Sequence, residues 1–121
     1  MGAAAFEAEG VDEYIQLIAV DGELDLSSSA ELRRRVEAAL KEGRNSVVID
    51  LSEVTHMDST GLASLIAAHQ LTSRRRGKLA LVITSESVRR TVEVRGLDRL
   101  FTIMANRDDG LAAVRDAGDR R

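Results

Sequence analysis

The groups best placed to do chemistry in this sequence lie in Asp58-Ser59-Thr60-Gly61, where a carboxylate and two hydroxyls stand side by side ahead of a helical run. A serine in such company is a nucleophile, a helix cap or a substrate for modification. A hydrolase nucleophile needs a GxSxG elbow and a general base, and no such elbow surrounds Ser59. An aspartic-protease triplet would place its Asp one residue closer to the glycine and requires a second carboxylate as partner. The histidines are only two, His56 and His69, without HExxH spacing, and cysteine is absent, so neither a His-based metal triad nor a thiolate site can be assembled. No GxGxxG or GxxxxGK[ST] segment is present to cradle a phosphate. Asp25, Asp50, Asp58 and Ser59 form no recognised catalytic set. Neither a catalytic residue nor a metal or cofactor is therefore expected. Asp58 and Ser59 are both competent N-caps, and Gly61 permits close backbone approach at the first turn. Capping accounts well for one of the two residues and less well for the pair. Arg74-Arg75-Arg76 with Lys78 reads as an anion patch or as cations at a helix C-terminus, and dipole complementarity favours the second.

Strands and helices must position these groups, and their periodicities alternate along the chain. Tyr14 to Val20 is aliphatic and β-branched enough for a strand, with Ala3 to Val11 as a candidate edge strand beside it. Ser27 to Leu40 turns helical, with Leu32, Val36, Ala39 and Leu40 on one side. Ser28 and Glu31 fit a capping box at its start and Gly43 a left-handed stop. Glu31 with Arg35, and Glu37 with Lys41, have the spacing of weak surface pairs. Ser46 to Leu51 holds an unbroken Val47-Val48-Ile49, as expected of a parallel strand covered on both faces. Val54 to Leu62 reads as the loop that follows, with His56 at the surface. Asp58 to Arg76 is the second helix, with Leu62, Leu65, Ile66 and His69 on one stripe, Ala63, Ala67 and Leu71 broadening it, and Gly77 as its stop. A strand at Leu79 to Ile83, a helix at Ser87 to Arg95 ended by Gly96, a last strand at Phe101 to Ile103 and a helix at Asp108 to Val114 complete the pattern. Strands alternating with helices imply an α/β fold: a mixed sheet of four to five strands with helices packed mainly on one face.

Composition narrows the function further. In 121 residues there is room for one ordinary domain, expected over 1–114, with 115–121 as a disordered tail. Seventeen Lys and Arg against 20 Asp and Glu leave a net charge of −3, which argues against a general nucleic-acid binder. Only two Phe and one Tyr are available, too few for a base-stacking platform. No apolar run approaches the ~20 residues of a membrane span, and the first residues lack the basic and apolar regions of a secretory signal. A cytoplasmic protein with no membrane partner is the expectation.

Three segments in register carry a resemblance: Gly22-Glu23-Leu24-Asp25 after a strand, Val48-Ile49-Asp50-Leu51-Ser52, and Met57-Asp58-Ser59-Thr60-Gly61-Leu62. Together with Arg95-Gly96-Leu97 they resemble the STAS domain of bacterial anti-sigma factor antagonists, from about Ala5 to Ala113. The resemblance implies a single STAS domain without enzymatic activity, acting in transcription regulation, with a stress response as a typical setting. It implies phosphorylation of Ser59 by an anti-sigma factor that is itself a serine kinase, and dephosphorylation by a PP2C-type phosphatase. The unphosphorylated form would bind the kinase and free a sigma factor, an exchange known as partner switching. Asp25, Asp58, Ser59, Thr60 and Gly61 would form the partner-binding set. A weak homodimer is compatible, and nucleotide binding stays open by analogy alone. The alternative within the family is a scaffold or subunit of a stressosome or lipid-transport complex. The hydroxyl-rich Ser27-Ser28-Ser29 and the basic Arg74 to Arg76 run depart from the family pattern and could alter the choice of partner.

A phosphate adds about −1.5 to −2 charges and three acceptor oxygens. At the start of a helix, free N–H groups and the dipole are expected to tolerate it. A partner fitted around a neutral hydroxyl would not, so binding should change more than folding.

Overall fold

The computed structural model describes residues 4–118, with side-chain surroundings given up to Arg115. Its elements run β1 (Ala5–Gly10), β2 (Ile15–Leu24), α1 (Ser29–Lys41), β3 (Ser46–Met57), α2 (Ser59–Arg74), β4 (Leu79–Val82), α3 (Glu86–Val94), a 3-10 turn (Leu97–Arg99), β5 (Thr102–Met104) and α4 (Arg107–Gly118). The strands form one mixed sheet in the order β1-β2-β3-β4-β5. Only β1 is antiparallel to its neighbour, and β2 through β5 pair in parallel.

The unbroken apolar run of β3 follows from cover on both faces. Val47, Ile49 and Leu51 join the core with Leu32 and Val36 of α1, Leu62 and Leu65 of α2, and Val88 and Val92 of α3. Val48, on the opposite face because side chains alternate along a strand, joins Leu17, Ala80 and Val82 under Val114 of α4. Three helices thus cover one face and a single helix the other.

Several expected details change. Ser28 does precede α1, but its hydroxyl makes no capping bond, and no capping box forms with Glu31. The hydroxyl is held by the preceding turn, while the Glu31 carboxylate takes Arg34 at 2.7 Å and Arg35 at 2.9 Å. Glu37 turns back to Arg33 at 3.5 Å rather than forward to Lys41. The expected Val54 to Leu62 loop shrinks to Asp58 alone: β3 continues to Met57 and α2 begins at Ser59, so His56 lies exposed on the strand, in register with Glu23. On α2 the stripe is narrower than expected, with Leu62, Leu65 and Ala68 buried, Ile66 and His69 half-buried and Ala63 exposed. His69 packs edge-on against Phe101, ring centroids 6.1 Å apart.

The end of α2 shows why Gly77 is a glycine. Gly77 follows the helix as expected, and the left-handed residue is its neighbour Arg76, with φ 59°. A Cβ on Gly77 would fall 1.6 Å from the Asn45 carbonyl oxygen, so clearance is the constraint there. Arg76 instead adopts a conformation that ordinary side chains disfavour by about 1–2 kcal/mol. At the other end of the chain, α4 passes the expected boundary at Val114 and reaches Gly118, the first helix-breaking residue after Gly110. The first four residues of the expected tail are therefore helical in the structure, and 119–121 lie outside the described residues.

Candidate functional site

The serine turn is built on the ends of two parallel strands. Leu24 and Met57, the last residues of β2 and β3, are register partners, and Asp58 N–H donates to the Leu24 carbonyl at 3.3 Å. Asp58 alone separates β3 from α2. Its backbone is extended (φ −99°, ψ −174°), which swings the carboxylate over the first turn, where Oδ1 accepts from the Thr60 and Gly61 N–H groups, both at 2.9 Å. A Cβ on Gly61 would lie 2.2 Å from the Leu24 carbonyl oxygen, so only glycine lets the end of β2 press against this turn.

Ser59, the first residue of α2, is exposed, and its hydroxyl forms no hydrogen bond among the described residues. Thr60 is half-buried beside it. The expectation of free N–H groups awaiting an anion is revised here, because Asp58 already occupies those of Thr60 and Gly61. A second anion on Ser59 would join a carboxylate rather than fill a vacant cap.

The β2–α1 turn stands next to it. Asp25 Oδ1 accepts from the Ser27 N–H at 3.0 Å and the Ser27 hydroxyl at 2.7 Å, while the Asp25 carbonyl accepts from Ser28 and Ser29 N–H. The Ser28 hydroxyl donates to the Glu23 carbonyl at 2.7 Å and accepts from Asp25 N–H at 3.0 Å. These bonds, the Ser27 hydroxyl foremost, hold the Asp25 carboxyl below its ordinary range against a smaller opposing effect of desolvation. Between Asp25 and Ser27 projects Leu26, 76% exposed. Sequence reasoning missed it, since an apolar residue between polar ones gives no periodic signal.

Asp25, Asp58, Ser59, Thr60 and Gly61 therefore gather at one end of the sheet, and Asp50 does not join them. Asp50 is 5% exposed and faces α4, where Oδ2 accepts from Arg107 Nε at 2.5 Å and Oδ1 from the Ser52 N–H at 2.9 Å. Burial pushes its carboxyl up, yet the bonds from Ser52 and Arg107 outweigh burial and leave it below the ordinary range. In the arginine run, Arg75 donates to the Leu40 carbonyl at the end of α1, a structural use of one of its cations. Among the described residues no three His, Asp or Glu side chains converge as a metal cage, and no helix is long and apolar enough to cross a membrane.

Comparison with known proteins agrees with this geometry. The family model "STAS domain" matches residues 5–110. The anti-sigma-F factor antagonist RsfB of Mycobacterium tuberculosis is 31% identical over 104 residues, covering 84% of this chain and 82% of the relative. An anti-sigma factor antagonist from Mycobacterium paratuberculosis superposes with a TM-score of 0.80 at 31% identity, over 94% of this chain and 96% of the other. Unphosphorylated SpoIIAA, also named an anti-sigma factor antagonist, gives 0.80 at 22% identity over 93% and 97%, a likeness of fold.

Proposed function

The chain belongs to the STAS domain family, and on that premise we propose that it is an anti-sigma factor antagonist switched by phosphorylation of Ser59. Unphosphorylated, it binds an anti-sigma factor that is also a serine kinase and so releases a sigma factor. The kinase phosphorylates Ser59, binding is lost, and a PP2C-type phosphatase restores it. The protein performs no chemistry of its own and works in the cytoplasm. Relatives at 31% identity that are named anti-sigma factor antagonists support the role.

The observation that carries the switch is the exposed, unbonded Ser59 hydroxyl at the head of α2, reachable by a kinase without unfolding. No cation pairs with Asp58 or Asp25 among the described residues, so a phosphate here adds to negative charge that no ion pair offsets. It therefore alters the surface offered to a partner. Like charge facing an acidic or apolar partner surface costs several kcal/mol, and each 1.4 kcal/mol is about tenfold in affinity.

Titration against the anti-sigma factor kinase of the same genome tests this, with thermal melts alongside. Ser59→Ala should bind as wild type does and accept no phosphate. Ser59→Asp should bind at least about tenfold more weakly, while its stability stays within about 0.5 kcal/mol of wild type, as for other exposed substitutions. Equal affinities for all three proteins refute the switch.

A further inference from the structure

Two large apolar side chains stand equally far into solvent, Leu26 and Val94, each 76% exposed. Single exposed hydrophobics are ordinary, but these two have different settings. Val94 ends α3 at a distance in sequence and fold from the serine turn, beside Arg90 and Arg95. Leu26 sits in a turn pinned on both sides by Asp25, Ser27 and Ser28, and that turn follows directly from Leu24, which receives the Asp58 N–H and abuts Gly61. A side chain whose backbone is already ordered loses little further freedom on binding, and such preorganisation favours affinity.

From this we infer that Leu26 is the apolar anchor of the partner surface, entering a recess on the anti-sigma factor kinase that docks over Ser59. The inference rests on the proposed function and adds a partner contact to it. The same partner would bring a hydrogen-bond donor to Asp25 Oδ2, which no described residue satisfies, since the recorded bonds fall on Oδ1. Leu26 thus supplies apolar contact area, the Asp25 turn fixes where it points, and Ser59 supplies the charge that breaks the fit.

The test is a titration of purified kinase against wild type, Leu26→Ser, Leu26→Met, Val94→Ser and Ser59→Asp, with melting curves for each. Burying a leucine on association makes Leu26→Ser about 10- to 100-fold weaker. Leu26→Met, which keeps the apolar bulk, should stay within about threefold of wild type, and Val94→Ser should bind unchanged. All of these variants should melt near wild type, because the altered side chains are in water. Wild-type affinity in Leu26→Ser, with binding still lost in Ser59→Asp, overturns the anchor and leaves the switch intact. Equal weakening by Leu26→Ser and Val94→Ser also overturns it, as that marks general stickiness. Full binding by Ser59→Asp, or none by wild type, overturns the functional reading itself.

Discussion

Two aspartates eight residues apart, Asp50 within β3 and Asp58 just beyond its end, satisfy their carboxylates in opposite ways. Asp50 is buried and meets a cation, Arg107, from an element 57 residues away. Asp58 is half-buried and meets only backbone N–H groups of the next turn. The first arrangement fastens α4 to the sheet across a long stretch of sequence. The second shapes a local turn and leaves its negative charge facing water. The first corner is electrically balanced within itself, whereas the second keeps a net negative charge to which a phosphate would add.

The largest expected effect is common to both corners and sets the scale. Leu65 is fully buried beneath α2, so Leu65→Ala should cost about 2–5 kcal/mol in chemical denaturation. A loss below about 1 kcal/mol would place the stripe against solvent or a partner.

Separating the corners comes next. Arg107→Met removes the cation from a buried carboxylate, yet the arginine side chain is itself 47% exposed, so water softens the loss to about 1–3 kcal/mol. Kinase affinity should not change. Because the Asp50 carboxyl lies below its unfolded value near 3.8, its contribution is fully present above that pH and is lost as pH falls through the lower folded value. Acid titration of stability should therefore flatten in Asp50→Asn relative to wild type. An unchanged acid limb would remove Asp50 from the account of stability.

The smallest effect on folding falls at the other corner. Asp58→Ala removes an N-cap with two hydrogen bonds and should cost about 0.5–2 kcal/mol. Here binding should fall as well, which makes the contrast with Arg107→Met a double readout. Should Asp58→Ala destabilise the fold and spare affinity, the two corners would be doing the same job.

How far these corners were legible in the sequence depends on the range of the contacts. The serine turn is local: cap, glycine and first helical residue lie within four positions, and their chemistry can be read from their order. The strands and helices were readable for the same reason, since periodicity is a short-range property. Ser28 shows where that ends, because a hydroxyl three residues before a glutamate fits a capping box equally well whether it faces the helix or the preceding turn. The pairing of Asp50 with Arg107, and the clearance of Gly77 over Asn45, bring together residues 57 and 32 positions apart and leave no nearby trace. The length of β3 was hidden too, since Glu53, Thr55 and His56 look like loop residues until β2 pairs alongside them.

Gly61 and Gly77 bring the two ends of α2 hard against the carbonyls of Leu24 and Asn45, so the helix is a strut wedged between fixed stops. Such close seating disfavours a piston stroke of the helix, so the proposed reading expects no movement relayed from its head to its foot. On the proposed reading, the switch would then have no internal clock: its tempo would be set by molecular encounters and by the enzymes that write and erase the mark. Mixing wild type with kinase in a stopped-flow instrument should give one phase whose rate rises in proportion to concentration. A second phase that ignores concentration would reveal a moving part.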